Sequence, residues 1–189
     1  FLARSASKVN EAKLEGVVIK GDMLPDQQST WVKELPDDLD AVIHMAGIVH
    51  SFNEEDFYRI NAHGTKKLIT LLAQRYPHLN FILLSSLAAA GPAQKDLPIS
   101  ETTTPHPSCH YGQSKFQAEI DLAYTAPEKW NKIIIRPPMV IGPGDPAFAE
   151  LFLAIKKGLV PVPGLNGLRK QFSFISVFDL IEVIRKSLA

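Results

Sequence analysis

The chain has 189 residues, 46% of them hydrophobic, and its twenty Lys and Arg are balanced by twenty Asp and Glu. That size and composition fit one globular domain with a sizeable core, and the charge balance gives no electrostatic reason to expect a nucleic acid or a membrane surface as partner. Apolar runs are far shorter than a membrane span, and the lone Cys109 excludes an internal disulfide and fits a reducing, cytoplasmic compartment.

In chain order, short β-branched runs at 17–19, 41–45, 80–85 and 132–136 read as strands. They are continuous rather than alternating, the mark of parallel strands buried on both faces. Between the second and third, Phe57, Ile60, Leu68, Leu71 and Leu72 fall at helical spacing, and Pro77 stops that helix. Ser85-Ser86 closes the third strand, followed by small residues to Gly91. A proline-rich stretch from Pro92 to Pro107 reads either as an excursion over the substrate side or as an ordinary connector. The next helix carries Tyr111 and Lys115 and continues through Ala118, Ile120, Leu122 and Ala123. After Arg136-Pro137-Pro138-Met139-Val140, Pro143-Gly144-Asp145-Pro146 punctuates the passage to a helix around 148–157, and 178–185 is a further amphipathic run. Alternating strands and helices imply an α/β, doubly wound parallel sheet with ligands at the carboxyl ends of its strands.

The chemistry concentrates in one pattern. Tyr111 and Lys115 stand four residues apart, so on a helix the phenol and the ammonium share a face, where a cation can lower a phenol's pKa from about 10. A serine hydroxyl at a strand end could hold a substrate carbonyl or carbinol oxygen against that phenol. Taken alone, the Tyr/Lys pair is more often a solvated helix face and a serine pair more often a turn; order and company favour a site. The six histidines, at 44, 50, 63, 78, 106 and 110, form no metal-like spacing with Cys or carboxylates, so no metal is expected. His44, inside a strand, reads as a hydrogen-bonded core residue, and His110 as an ordinary helix-start residue.

The succession strand, Ser85-Ser86, Gly91, Tyr111-Gly112-Gln113-Ser114-Lys115, Arg136-Pro137-Pro138 resembles the extended short-chain dehydrogenase/reductase superfamily, the NAD-dependent epimerase/dehydratase group, over nearly the whole chain. The resemblance implies a Rossmann-like fold in which Tyr111 donates or accepts a proton, Lys115 holds the ribose hydroxyls, and Ser86, five residues before Gly91, orients the reacting oxygen. It also implies that Asp22 and Met23 meet the adenine, that Ala46 and Gly47 let the backbone pass close to the cofactor, and that Asn61 supports the site. Pro138 and Met139 would lie against the nicotinamide, Asp179 would stabilise a late helix, and Arg169 would approach a substrate phosphate or carboxylate. The family's opening strand and glycine-rich turn have no counterpart, so the chain reads as an N-terminally truncated fragment. It would comprise a partial dinucleotide-binding domain at 1–145 and the start of a substrate-binding portion at 146–189.

Arg4, with no acid nearby, favours the 2′-phosphate of NADP over NAD, with Ser5 and Lys8 as secondary contacts. Met139 stands where sugar-nucleotide epimerases often have asparagine, which favours a reductase or dehydrogenase acting on a small molecule. A nucleotide-sugar epimerase or dehydratase, a non-catalytic dinucleotide-binding scaffold and an inactive fragment stay open as alternatives. Many relatives form homodimers through helices flanking the active-site strands, an expectation from analogy.

Overall fold

The computed structural model describes residues 1–4, 15–93, 97–159 and 171–189, and two compact units, Phe1–Arg136 and Pro137–Ala189. In the first unit, β3 (Ala41–His44), β4 (Asn80–Leu84) and β5 (Asn131–Ile135) form a three-stranded parallel sheet with β4 central. A parallel pair, β1 (Leu2–Ala3) and β2 (Ile19–Lys20), forms a separate small sheet. The strands predicted from continuous apolar runs are therefore present, although the run at 17–19 contributes only a two-residue ladder. Burial explains why β4 is central: Phe81, Ile82 and Leu83 are completely enclosed. Each such side chain removed from water contributes about 2 kcal/mol before conformational entropy is deducted.

A helical run covers 54–73, made of α1 (Glu54–Phe57), a π-helical segment (Tyr58–His63) and α2 (Gly64–Ala73). Asn53 starts it by accepting a hydrogen bond from the Glu55 N–H at 3.1 Å, and three acidic residues in the first turn favour the same end of the helix dipole. The wider π turn shifts the phase of the inward face, so that Asn61 and Ala62 are both enclosed while Ile60 is only half-buried. From α2, Leu68, Ile69 and Leu72 meet Phe81, Leu83, Leu122 and Trp130 in the core, where Phe81 stacks on Trp130 at 5.7 Å.

Ser86 caps the short α3 (Leu87–Ala90), and α4 (His110–Thr125) follows the proline-rich stretch. Gly91 joins them at φ 90°, and a Cβ there would sit 2.1 Å from the His106 carbonyl oxygen, so the return of the loop over α3 requires glycine. The buried face of α4 departs from simple amphipathicity. Ser114, Lys115, Glu119 and Asp121 turn inward with Ala118 and Leu122, whereas Ala123 is exposed. No helix among the described residues is long and apolar enough to cross a membrane.

The second unit pairs β6 (Met139–Ile141) in parallel with β7 (Phe174–Ser176) and carries α5 (Pro146–Lys156) and α6 (Val177–Lys186). Ser176 caps α6 by accepting from the Phe178 N–H at 3.2 Å. Asp179 in the first turn and Arg185 and Lys186 in the last complement its dipole.

Candidate functional site

The carboxyl ends of β3 and β4 are drawn together by side chains of the flanking helices. Lys115, 5% exposed, runs under the sheet end and donates from Nζ to the Leu84 carbonyl at 2.7 Å. Burial pushes its pKa down to about 8, against the opposing pull of the Glu119 carboxylate. Gly47, beyond the end of β3, lies so close that a Cβ there would stand 3.9 Å from Lys115 Nζ and 2.9 Å from Asn61 Oδ1.

Asn61 ties this corner together. Its Oδ1 accepts from the Ile48 N–H at 2.8 Å, and its Nδ2 donates to the Ile48 carbonyl and to Ser114 Oγ, each at 3.0 Å. One fully buried amide thus clamps the loop after β3 to α4, an arrangement made possible by the π turn that carries it. A buried amide with all these partners stabilises the loop, whereas one left unpaired would cost about 1–3 kcal/mol.

The two serines at the end of β4 have different fates. Ser85 is buried and donates its hydroxyl to Glu119, and its N–H bonds the Ile135 carbonyl at 2.7 Å. Ser86 is half-buried, and its hydroxyl accepts a 3.2 Å bond from the Ala88 N–H. Tyr111 lies in the first turn of α4, half-buried, with its ring edge-on to Phe57 at 6.2 Å. Gly112 brings that turn against α3: a Cβ at 112 would fall 2.3 Å from the Ala88 carbonyl oxygen. The helix bearing Tyr111 is thereby packed on the helix that Ser86 caps.

A cleft of about 610 Å³ runs beside β3. Ala41, Val42, Ile43 and His44 all line it, and because successive strand residues point to opposite faces, the cleft must follow the strand's edge. Arg4, Asp22, Met23, Ala46 and Gly47 line the same cleft. Arg4 is exposed at its margin, and Asp22 Oδ1 accepts from the Leu24 N–H at 2.9 Å, which shapes the turn after β2. Trp31, 1% exposed, closes one wall and donates from Nε1 to the Asp22 carbonyl at 3.0 Å.

His44 is a core residue, 4% exposed, with Nε2 2.8 Å from Thr65 Oγ1. Burial holds its pKa down to about 3, with the Lys115 charge adding to the effect. His110 opens α4 and sits between Glu54, 3.1 Å from Nε2, and the Tyr58 hydroxyl, 3.0 Å from Nδ1. Pro138 is half-buried and Met139 exposed, both within the second unit. Ser5, Lys8 and Arg169 lie outside the described residues.

Two features had escaped the sequence reading. Glu119 and Arg136 form a nearly enclosed ion pair behind Ser85, with 4% and 23% of their side chains exposed. The i, i+4 spacing of Lys115 and Glu119 was the available signal. The Asn61–Ser114 contact joins residues far apart in sequence, and no local pattern announces it.

The family profile described as the NAD dependent epimerase/dehydratase family matches residues 1–189. A UDP-glucose 4-epimerase of Vibrio cholerae is 30% identical over 198 residues, covering 97% of this chain and 58% of the relative. The uncharacterized protein y4nL of Sinorhizobium fredii is 28% identical over 177 residues, covering 92% and 49% respectively. The chain thus spans about half the length of the curated relatives it matches. Among solved structures, RMD from Pseudomonas aeruginosa complexed with NADPH superposes with a TM-score of 0.70 at 27% identity, covering 96% of this chain and 68% of that one. UDP-glucuronic acid 4-epimerase from Bacillus cereus, in complex with UDP-glucuronic acid and NAD, gives a TM-score of 0.75 at 21% identity, with 96% and 59% covered. These are Rossmann-fold, doubly wound α/β proteins, and the parallel sheets described above share that fold.

Proposed function

The chain belongs to the NAD-dependent epimerase/dehydratase family, and from that premise we propose that the whole protein is an NAD(P)-dependent oxidoreductase acting on a small molecule at a carbinol or ketone carbon. The observation that carries this reading is the Lys115 ammonium, held on the Leu84 carbonyl beside Gly47 at the carboxyl edge of the sheet. Ligands of doubly wound sheets bind at that edge.

The residues present suit a nicotinamide dinucleotide. Asp22 offers a carboxylate and Met23 an apolar flank for an adenine, Arg4 a guanidinium at the margin of the cleft, and Ala46 and Gly47 leave their backbone open to close approach. Arg4 favours NADP, with NAD as the alternative, and relatives of known structure hold NADPH or NAD. When bound, the nicotinamide ring supplies the carbon that gives or takes hydride.

The protein's own part is proton handling and orientation. In reduction, Tyr111 gives its phenolic proton to the carbonyl oxygen as that oxygen becomes a hydroxyl; in oxidation the proton returns to the phenolate. Ser86 holds the same oxygen through its hydroxyl, since Ser85 is already committed to Glu119. Lys115 holds the ribose hydroxyls and balances the phenolate's charge. A second reading, epimerisation or dehydration of a nucleotide sugar, is favoured by the near-complete coverage of this chain by the Vibrio cholerae epimerase.

The test is Tyr111→Phe in the whole protein, assayed with ketones, alcohols and nucleotide sugars. Turnover should fall by about a thousandfold or more while NADP and NAD affinities stay within about twofold. Turnover retained at the wild-type rate would remove Tyr111 as proton donor. A wild type that binds cofactor stoichiometrically and turns over none of the panel would instead mark a non-catalytic scaffold.

A further inference from the structure

We infer that Glu119 is a positioning residue that keeps Lys115 in its ammonium form and fixes the Leu84–Ser86 strand end against α4. Glu119 stands one turn beyond Lys115 on α4 and is only 4% exposed. A carboxylate this enclosed must be compensated. Three donors converge on it: Ser85 Oγ on Oε1, Arg136 Nε on Oε1 at 2.9 Å, and Arg136 Nη2 on Oε2 at 2.5 Å.

The consequence reaches the site along two routes. Geometrically, Ser85 is held by its hydroxyl to Glu119 and by its N–H to Ile135, while Leu84 is held by Lys115. Ser86 therefore leaves the strand from a segment pinned on both sides. Electrostatically, Lys115 faces few groups that could offset its burial. Tyr111 and Glu119 share its helix, the neutral His44 faces it from β3, and Arg136, at the end of β5, is held on Glu119. Asp121, farther along α4, is paired with Lys66 at 3.4 Å. Glu119 is the anion that supports the ammonium, and Arg136, whose own cationic form is favoured by the hydrogen bond to Glu119, sets how much of that negative charge Lys115 feels.

This inference deepens the proposed reading of Lys115, but its test needs neither cofactor nor turnover. Protein labelled with 13C at lysine Cε is titrated by NMR, the Lys115 signal being identified by its loss in Lys115→Arg. In Glu119→Gln the Lys115 midpoint should fall by about one pH unit, a tenfold change in the ratio of ammonium to amine. The double variant Glu119→Gln/Arg136→Gln leaves no unpaired guanidinium, which keeps the test available should the single variant unfold, and its midpoint should also fall, by less. A purely packing role predicts the opposite sign. Loosened packing would admit water, and in both variants the midpoint would climb towards the ordinary lysine value. A rise, or an unchanged midpoint, in folded protein overturns the inference. Failure of the Tyr111→Phe test would leave it standing.

Discussion

In the proposed reading, a single side chain, Arg4, would set the choice between NADP and NAD. It is exposed at the margin of the cleft that Asp22 and Met23 also line, directly after β1, neither of whose residues is acidic. A guanidinium can fork onto a 2′-phosphate, and a charge-assisted hydrogen bond contributes about 1.5–3 kcal/mol. Arg4→Ala in the whole protein should therefore weaken NADP binding by about ten- to a hundredfold and leave NAD binding nearly unchanged, as read by fluorescence titration with each dinucleotide. Equal losses for both would assign Arg4 a general rather than a selective role. The sequence alone pointed to Arg4, Tyr111 and Lys115 because their chemistry is local: a charge without a neighbouring acid, and two groups one helical turn apart. The same spacing links Lys115 to Glu119, but nothing local shows that Glu119 turns inward onto Ser85 and Arg136, which are 34 and 17 residues away in the chain.

Among the elements, the contact between α3 and α4 carries the most consequence for the site. Gly112 is in a helix, where alanine is intrinsically preferred by about 1 kcal/mol. Its added Cβ, however, would stand 2.3 Å from the Ala88 carbonyl oxygen, a backbone atom that cannot swing aside. Separating the helices should cost about 1–3 kcal/mol, more than the propensity gain. Gly112→Ala should thus lower the urea midpoint with an unchanged m-value and, in the proposed reading, should reduce turnover by shifting the first turn of α4, which bears Tyr111, away from the helix that Ser86 caps. An increase in stability would show that the contact is loose. Helical spacing made α2 and α4 legible, and continuous apolar runs made β3, β4 and β5 legible. The π turn was not, because a single extra residue per turn changes which side chains face inward without changing composition. In the regular α4 the cause is different: Ala123 is apolar and yet exposed, while polar Ser114 and Glu119 turn inward to partners on other elements, Asn61 and Arg136.

At the scale of the molecule, the enclosed polar groups make stability depend on pH. His44 has a folded-state pKa of about 3 against an ordinary value of 6.5. Between those values the unfolded chain binds a proton that the folded chain does not, so stability rises with pH and is lost as pH falls through that window. The slope approaches about 1.4 kcal/mol per pH unit for this one group. Urea unfolding followed from pH 7 to pH 4 should show the decline, and His44→Gln, which keeps a hydrogen-bonding partner for Thr65, should flatten it. An equally steep decline in that variant would place its origin in the carboxylates. The amino-acid sequence by itself determined the alternation of strands and helices, the parallel α/β class and the Tyr111/Lys115 pair. Each of these follows from periodicity or from spacing within a single turn. Only the tertiary structure decided that Ser85 serves Glu119 while Ser86 keeps a lighter commitment, that Asn61 clamps the loop after β3, and that β3 borders a cleft. Those facts depend on which distant backbone and side-chain groups meet when polar atoms are buried and must find partners, a requirement met by the whole fold rather than by any stretch of it.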